Sequence, residues 1–308
     1  MWIDAPHVLP YQGSKRKLAG KILDCFPSKV GCLFEPFVGS AAVSLAAAAN
    51  GLTDRIVLAD KLEPLARLWT MVIENPRVLI KEYEKHWNKQ HSDPQAYFAS
   101  VREDYNKTQS ASALLYLVAR CVKNSIRFNS KGEFNQGPDN RRLGLRPEKL
   151  AREVERAHHL LKRIATAECG DFREVLREAT PDDLVYMDPP YQGTSGKHNP
   201  RYAFLLDLDE LIEELNQLNK RKVPFILSFD GACGERKYGQ ELPDYLQLER
   251  VELFAGRSTQ ATLLGRDEIT VESLYLSKPL VKKVGTQSAK QKPRYAGSQL
   301  AFEVMAAG

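Results

Sequence analysis

The chain has 308 residues, 43% of them hydrophobic, enough to bury a core in one large domain with an insertion or in two domains. Its 44 Lys+Arg against 39 Asp+Glu give a formal charge of +5, which permits nucleic acid as a partner without demanding it. Five cysteines without a Cys-x-x-Cys pair or a histidine at zinc-ligand spacing argue against a disulfide framework and a structural zinc, and no metal is expected. Cys32 and Cys169 read as buried small hydrophobes, and with no signal-like start or spanning apolar run the expectation is a cytoplasmic protein with no membrane contact.

Pro10-Tyr11-Gln12-Gly13 make a loop, and Ser14 opens a segment whose Leu18, Ile22, Leu23 and Phe26 share one helical face. Lys15, Arg16 and Lys17 crowd its first turn, where the helix dipole disfavours cations, so either an anion comes to them or they are a solvated basic turn. Cys32 to Glu35 reads as a short strand, Pro36 to Ser40 as a tight glycine-bearing turn, and the run through Ala49 as a helix closed by Asn50-Gly51. Such a turn brings backbone N–H groups to a ligand. It matches neither Gly-x-Gly-x-x-Gly nor a P-loop, so a ligand with less phosphate is favoured. The strand candidate Arg55 to Ala59 ends on Asp60, about 20 residues past the glycine turn, where nucleoside-binding α/β folds grip ribose hydroxyls. Asp60 also suits an N-cap for the helix Glu63 to Ile73.

From Asn75 to about Arg163 strand candidates vanish and helical patterns take over, at Val78–Lys89, Pro94–Lys107, Ala111–Asn124 and Pro147–Ile164. Two βαβ-type units interrupted by an all-helical stretch imply an inserted domain over 75–163, with the sheet-bearing parts at 1–74 and 164–278. Inside it, residues 124–135 hold two short aromatic-bearing runs around Ser130-Lys131-Gly132, a hairpin pattern. Lys123, Arg127, Lys131, Arg141, Arg142 and Arg146 surround it with Phe128 and Phe134 interleaved, which suits phosphate and base contacts as well as a solvated polar loop.

The sheet pattern resumes at Thr166 to Cys169, followed by Gly170-Asp171-Phe172, a helix from Arg173 to Ala179, and the apolar run Leu184 to Met187. That run stops at Asp188-Pro189-Pro190-Tyr191, so Asp188 is expected at a strand's carboxyl end, the edge where open α/β sheets bind ligands. A loop with Gly193 and Gly196 leads to a helix over Leu208–Leu218, a buried strand Val223–Phe229 reaching Asp230-Gly231, a strand Leu246–Phe254, a polar loop Ala255–Asp267 with Arg257 and Arg266, and a final strand Ile269–Leu276. Residues 279–308 read as a basic, mostly disordered tail. His158-His159 reads as an exposed helical pair.

Tyr11-Gln12-Gly13-Ser14-Lys15, Phe34-Glu35-Pro36-Phe37-Val38-Gly39-Ser40, Asp60, Arg127 to Asn135, Gly170-Asp171-Phe172 and Asp188-Pro189-Pro190-Tyr191 stand in an order that resembles the Dam-like DNA N6-adenine methyltransferases. The resemblance spans residues 10 to 277. It implies an α/β, Rossmann-like, seven-stranded and mostly parallel sheet with a mainly helical target-recognition insertion, and S-adenosylmethionine as cofactor. By that resemblance Phe34, Glu35, Pro36, Phe37, Gly39 and Ser40 would line the methionine part, with Tyr11 and Lys15 closing over it. Asp60 would take the ribose, and Asp171 and Phe172 would flank the adenine. Asp188, Pro189, Pro190 and Tyr191 would be catalytic, Asp188 also touching the cofactor. Lys123, Asn124, Arg127, Asn129, Lys131, Phe134, Asn135, Arg141 and Arg142 would meet double-stranded DNA. Gln12 and Ser40-Ala41 depart from common family forms, which have a small residue and glycine there.

The leading expectation is therefore site-specific DNA adenine methylation, by a monomer and with or without a cognate restriction endonuclease. N4-cytosine methylation in DNA, N6-adenine methylation in RNA, and a DNA-binding module on a silent methyltransferase core remain open at this point.

Overall fold

The computed structural model describes residues 2–190, 206–233, 236–238, 242–257 and 269–288. Short apolar runs become the strands of the sheet: β1 (Leu33–Glu35), β2 (Ile56–Asp60), β3 (Ala165–Cys169), β4 (Leu184–Met187) and β5 (Phe225–Cys233) pair in parallel in the order β3-β2-β1-β4-β5. Leu33, Leu58, Leu184 and Phe225 are fully buried in these strands, as strands covered on both faces require. Two antiparallel strands, β7 (Glu249–Arg257) and β8 (Ile269–Leu276), complete a seven-strand path, with β8 lying between β5 and β7. The short β6 (Arg236–Tyr238) pairs with the far end of β5 and was not foreseen.

The chain therefore runs outward from β1 to β3 and returns to β4 on the other side of β1. That reversal is a topological switch point, which opens a crevice beyond the carboxyl ends of β1 and β4.

Helices cover both faces. α1 (Ala19–Leu23), α2 (Ala42–Ala49), α3 (Glu63–Glu74), α4 (Pro76–Lys89), α5 (Pro94–Thr108), α6 (Ala111–Arg120) and α7 (Pro147–Leu161) contribute to one buried cluster. α8 (Phe172–Arg177) and α9 (Leu208–Lys220) build the cluster on the other face. α7 shows the logic: Leu150, Val154, Ala157 and Leu161 recur at helical spacing and are all buried, while the intervening charges face outward. The helices of 76–161 sit in the β2-to-β3 crossover, and their apolar residues run without a break into those of α2 and α3.

Several boundaries differ from the sequence expectation. Residues 15–17 form a 3-10 turn ahead of α1, so the single helix expected from Ser14 is broken at Leu18. β5 does not stop at Asp230-Gly231 but continues to Cys233, carried by its antiparallel neighbour β8. β7 begins at Glu249 after a 3-10 turn at Asp244–Leu246 and extends through Arg257 into the expected loop. The tail starts later than expected, because α10 (Lys278–Ser288) buries Leu280 and packs Val281 and Val284 on the core, a gain that offsets the basic composition of this segment. Cys169 is exposed rather than buried, since β3 is the edge strand. His158 accepts a role in packing, its Nδ1 lying 2.9 Å from the Ile73 carbonyl oxygen, while His159 is exposed. Gly193, Gly196, Arg266 and residues 289–308 fall outside the described residues.

Trp69 of α3 is wholly buried and donates its Nε1–H to the Gly39 carbonyl at 3.0 Å, tying the insertion-side helix to the turn after β1. Trp69→Ala removes both the packing and the bond, and is expected to destabilise the fold by about 3–5 kcal/mol in equilibrium urea unfolding.

Candidate active site

The turn after β1 is built by a run of tight conformations. Gly39 has φ +44, and Ala41, at the N-cap of α2, takes the left-handed region at φ 49, a position where glycine carries no Cβ penalty. Ser40 Oγ lies 2.8 Å from Ser14 Oγ, which joins this turn to the loop 10–14. Asp60 Oδ1 accepts the Leu62 N–H at 2.9 Å and its Oδ2 the Gly39 N–H at 3.4 Å, so the ends of β1 and β2 share one carboxylate. Burial pushes the Asp60 carboxyl up to about 6 against the pull of those two N–H groups.

Glu35, the last residue of β1, is 3% exposed. Burial pushes its carboxyl up to about 8, partly opposed by hydrogen bonds from the Ser44 hydroxyl and N–H, with the charge on Asp188 adding to the rise. Asp188 itself stands directly after β4, as the apolar run predicted. Both of its oxygens lie 2.8 Å from Lys15 Nζ, and Lys15 also reaches the Gly13 carbonyl at 3.2 Å. Lys15 is 5% exposed. The anion that its dipole-disfavoured position hinted at is thus Asp188 of this chain, not a phosphate.

On the far side, Asp171 caps α8 by accepting the Arg173 N–H at 3.2 Å. The Arg173 guanidinium at 2.7 Å, with Lys61 at 3.1 Å, holds the Asp171 carboxyl down to about 2. The rings of Phe37 and Phe172 lie 5.3 Å apart.

These elements line one open cleft. Tyr11, Lys15, Glu35, Pro36, Phe37, Gly39, Ser40, Asp60, Asp171, Phe172, Asp188, Pro189 and Pro190 all line it, as do Ile126 and Phe128 from the insertion. The aromatic pair, the carboxylate at the end of β2 and a turn after β1 without a phosphate-cradling motif suit a nucleoside without a phosphate chain better than a nucleotide.

A family model for the D12 class of N6 adenine-specific DNA methyltransferases matches residues 11–254 of this chain, which contain every element of the cleft. The chain belongs to the D12 class. Relatives include a DNA adenine methylase of Haemophilus influenzae, 30% identical over 187 residues that make 59% of this chain and 63% of that protein. The DNA adenine methylase of Serratia marcescens is 26% identical over 272 residues, 85% of this chain and 94% of the relative. The type II methyltransferase M.FokI of Planomicrobium okeanokoites is 27% identical over 228 residues, 71% of this chain but 35% of that longer protein. The chain thus spans less than two thirds of the Haemophilus protein and about a third of M.FokI.

Not every residue expected of a D12-class site lies in the cleft. Phe34 is buried in the cluster beneath α8 and α9, because strand alternation sends it to the opposite face from Glu35. Tyr191 falls outside the described residues. In the insertion the hairpin forms, with Phe128 and Phe134 as a bridge pair and the Asn129 N–H donated to the Glu133 carbonyl at 2.9 Å. Gly132, at φ +76, supplies the turn. Phe134 is not a surface wedge: it is 1% exposed, packed edge-on against Tyr105 and Phe128, since a short two-stranded ribbon needs apolar anchorage below it.

Asn129 is spent on the turn, its Oδ1 accepting the N–H groups of Lys131 and Glu133 at 2.9 and 3.0 Å. Asn124 donates its amide to the Val118 carbonyl at 2.9 Å, and its own carbonyl accepts the Gln12 N–H at 2.9 Å. Arg142 is exposed but paired with Asp139 at 2.7 Å, while Lys123, Lys131, Asn135 and Arg141 are exposed. Arg127 is half-buried, and its Nε has no hydrogen-bond partner among the described residues.

Sequence reasoning missed Glu272 of β8, whose Oε2 lies 3.3 Å from Lys15 Nζ. It stands in a strand read only for its alternation, and one carboxylate among Val271, Ser273 and Leu274 is the signal that was there to be used. Lys61, Ser44 and Glu210 were likewise invisible as site residues.

The raised Glu35 carboxyl has a thermodynamic consequence. Its folded value of about 8 lies above the unfolded value of about 4.3, so the native state binds the extra proton. The stabilisation is complete below about pH 4 and is lost as pH rises through about 8, by up to about 1.4 kcal/mol per pH unit. Glu35→Gln keeps an acceptor for Ser44 and is expected to flatten that slope, making the variant more stable than wild type at pH 9 in urea unfolding.

Proposed function

We propose that this protein transfers a methyl group from S-adenosylmethionine to the N6 amino group of adenine in double-stranded DNA. The observation that carries the reading is Asp188, a carboxylate at a strand's carboxyl end that is charge-compensated by Lys15 and opens into the same cleft as Asp60 and the Phe37–Phe172 pair. Membership of the D12 class supports it.

When bound, S-adenosylmethionine supplies a methyl group activated on a sulfonium. Asp60 would hold the ribose hydroxyls, Asp171 and Phe172 would flank the adenine, and the turn 36–40 would take the methionine part.

The exocyclic nitrogen of the target adenine is a poor nucleophile because its lone pair is delocalised into the ring. The Asp188 carboxylate and the Pro189 carbonyl each accept one amino hydrogen, which lets the nitrogen pyramidalise and aim its lone pair. As the new N–C bond forms, the S–CH3 bond of the sulfonium would break and S-adenosylhomocysteine would leave with the electron pair, while the nitrogen gives up one proton, for which Asp188 is the adjacent acceptor. The two prolines end β4, so that the carboxylate and carbonyl face the cleft instead of continuing a ladder. Inside a duplex the amino group cannot reach this point, so the base must be extruded at a cost of a few kcal/mol, and Tyr191 is the stacking face for it in this reading.

The exposed cations of 123–142 would track the DNA backbone, and the insertion would choose the sequence. Action on DNA would put the protein in the cytoplasm, associated with the nucleoid, in a bacterial, archaeal or phage-type setting. The type II relative gives a reason to look for a companion restriction endonuclease.

Duplex DNA incubated with protein and cofactor should yield N6-methyladenine by mass spectrometry of the digest. Bound cofactor without N6-methyladenine on any DNA would sink the reading, and N4-methylcytosine or methylated RNA in matched reactions would redirect it. Asp188→Ala should slow single-turnover transfer by about 100-fold or more while leaving DNA affinity intact. If Lys131 and Arg141 sit on phosphates, each Ala variant should reduce the slope of log affinity against log salt by about 0.9.

A further inference from the structure

Lys15 is a buried cation whose place in the fold is set from three directions. Asp188 holds it at 2.8 Å through both oxygens, the Gly13 carbonyl stands at 3.2 Å, and Glu272 Oε2 closes the third side at 3.3 Å. Lys15 is 5% exposed, so its ammonium cannot be solvated in place of these groups.

Glu272 is not placed there by the parallel part of the sheet. β8 runs antiparallel, so its beginning lies at the edge where β1, β2 and β4 end. Along β8, Glu272 shares a face with Leu274 and Leu276, which are buried in the same cluster as Leu18 and Ile22 beside Lys15. It pairs with Gly231 of β5 immediately beyond a register shift between Ser228 and Gly231, the kind of irregularity that re-aims a side chain next to a site. Its Oε2 is buried and makes no directed hydrogen bond among the described residues. The contact with Lys15 is therefore an ionic one, beside the directed bonds that the ammonium makes to Asp188 and Gly13.

We propose that Glu272 is a positioning residue for the methyl transfer: it pins the Lys15 ammonium against Asp188 so that the carboxylate is held for the incoming amino group. The proposal rests on the proposed transfer reaction. When the substrate amino group engages Asp188, the carboxylate's hold on Lys15 weakens, and a flexible lysine stem with a single anionic partner would swing away. A second carboxylate on a different strand keeps the ammonium seated through that exchange. Glu272 acts through Lys15 and does not touch the adenine.

The test is a double-mutant cycle on the full chain with Glu272→Gln, Lys15→Met and the pair, read in two ways. In single-turnover transfer at saturating cofactor and DNA, Glu272→Gln should slow the step about 10- to 100-fold with both dissociation constants unchanged, Glu272→Asp should recover part of the loss, and Glu272→Gln should cost nothing further in the Lys15→Met background. Equal losses in both backgrounds, or a loss confined to DNA or cofactor affinity, would overturn the proposal. The second readout is urea unfolding of the same four proteins, which needs no activity. A Lys15–Glu272 coupling there supports the contact, and its absence overturns the proposal even in an active enzyme. A wild-type protein that shows the coupling but methylates no DNA overturns the proposed function, and the catalytic role of Glu272 with it.

Discussion

The parallel pairing of β1 with β4 brings two carboxylates, Glu35 and Asp188, to one edge of a sheet. Burial is the main cause that keeps Glu35 protonated, the Asp188 charge adds to it, and the fold treats the two acids differently. Glu35 is sealed beneath α2, bonded by Ser44, and carries its proton up to about pH 8. Asp188 faces the cleft and meets a buried ammonium. The environments thus divide one pair of like groups into a structural acid and a carboxylate available to a ligand. The turn after β1, the 3-10 turn at Lys15 and the interior position of β8 are all arranged around that division.

The insertion is coupled to this edge more closely than an appended module would be. Its apolar residues merge with those of α2 and α3, Trp69 bonds the turn after β1, and Ile126 and Phe128 form part of the cleft wall. The Gln12 N–H to Asn124 carbonyl bond then joins the loop that carries Lys15 to the base of the hairpin. Lys123 and Asn124 both hold positive φ without being glycine, so this junction is maintained by its surroundings rather than by local preference.

Much of this was readable from residue order. Leu184 to Met187 followed by two prolines announced a buried strand and an Asp at its end, because strand burial and proline chemistry are local effects. The helices of 76–161 were equally plain from their periodicity. What escaped depended on partners remote in sequence. Lys15 stood open between meeting an anion and lying in a solvated turn because Asp188 and Glu272 are far along the chain. Phe134 looked like a surface aromatic because Tyr105, which covers it, lies on another element. β5 was ended early at Asp230-Gly231 because only β8 tells it to continue. Glu272 was passed over because a search along carboxyl ends of parallel strands does not visit the beginning of an antiparallel one.

The order β5-β8-β7 has a consequence for biosynthesis. Among the described residues β8 is the last strand to be made and yet takes an interior place, and β7 has no other partner in the sheet. While the chain is still leaving the ribosome, β5 presents an open edge and β7 waits unpaired, the condition in which strands recruit foreign partners. A fragment that stops before Ile269 would carry Lys15, Asp60 and Asp188, with every turn of the cleft encoded, and still lack both the Glu272 carboxylate beside its ammonium and the cover for its edge. One strand, β8, thus closes the described sheet and brings the third group to Lys15.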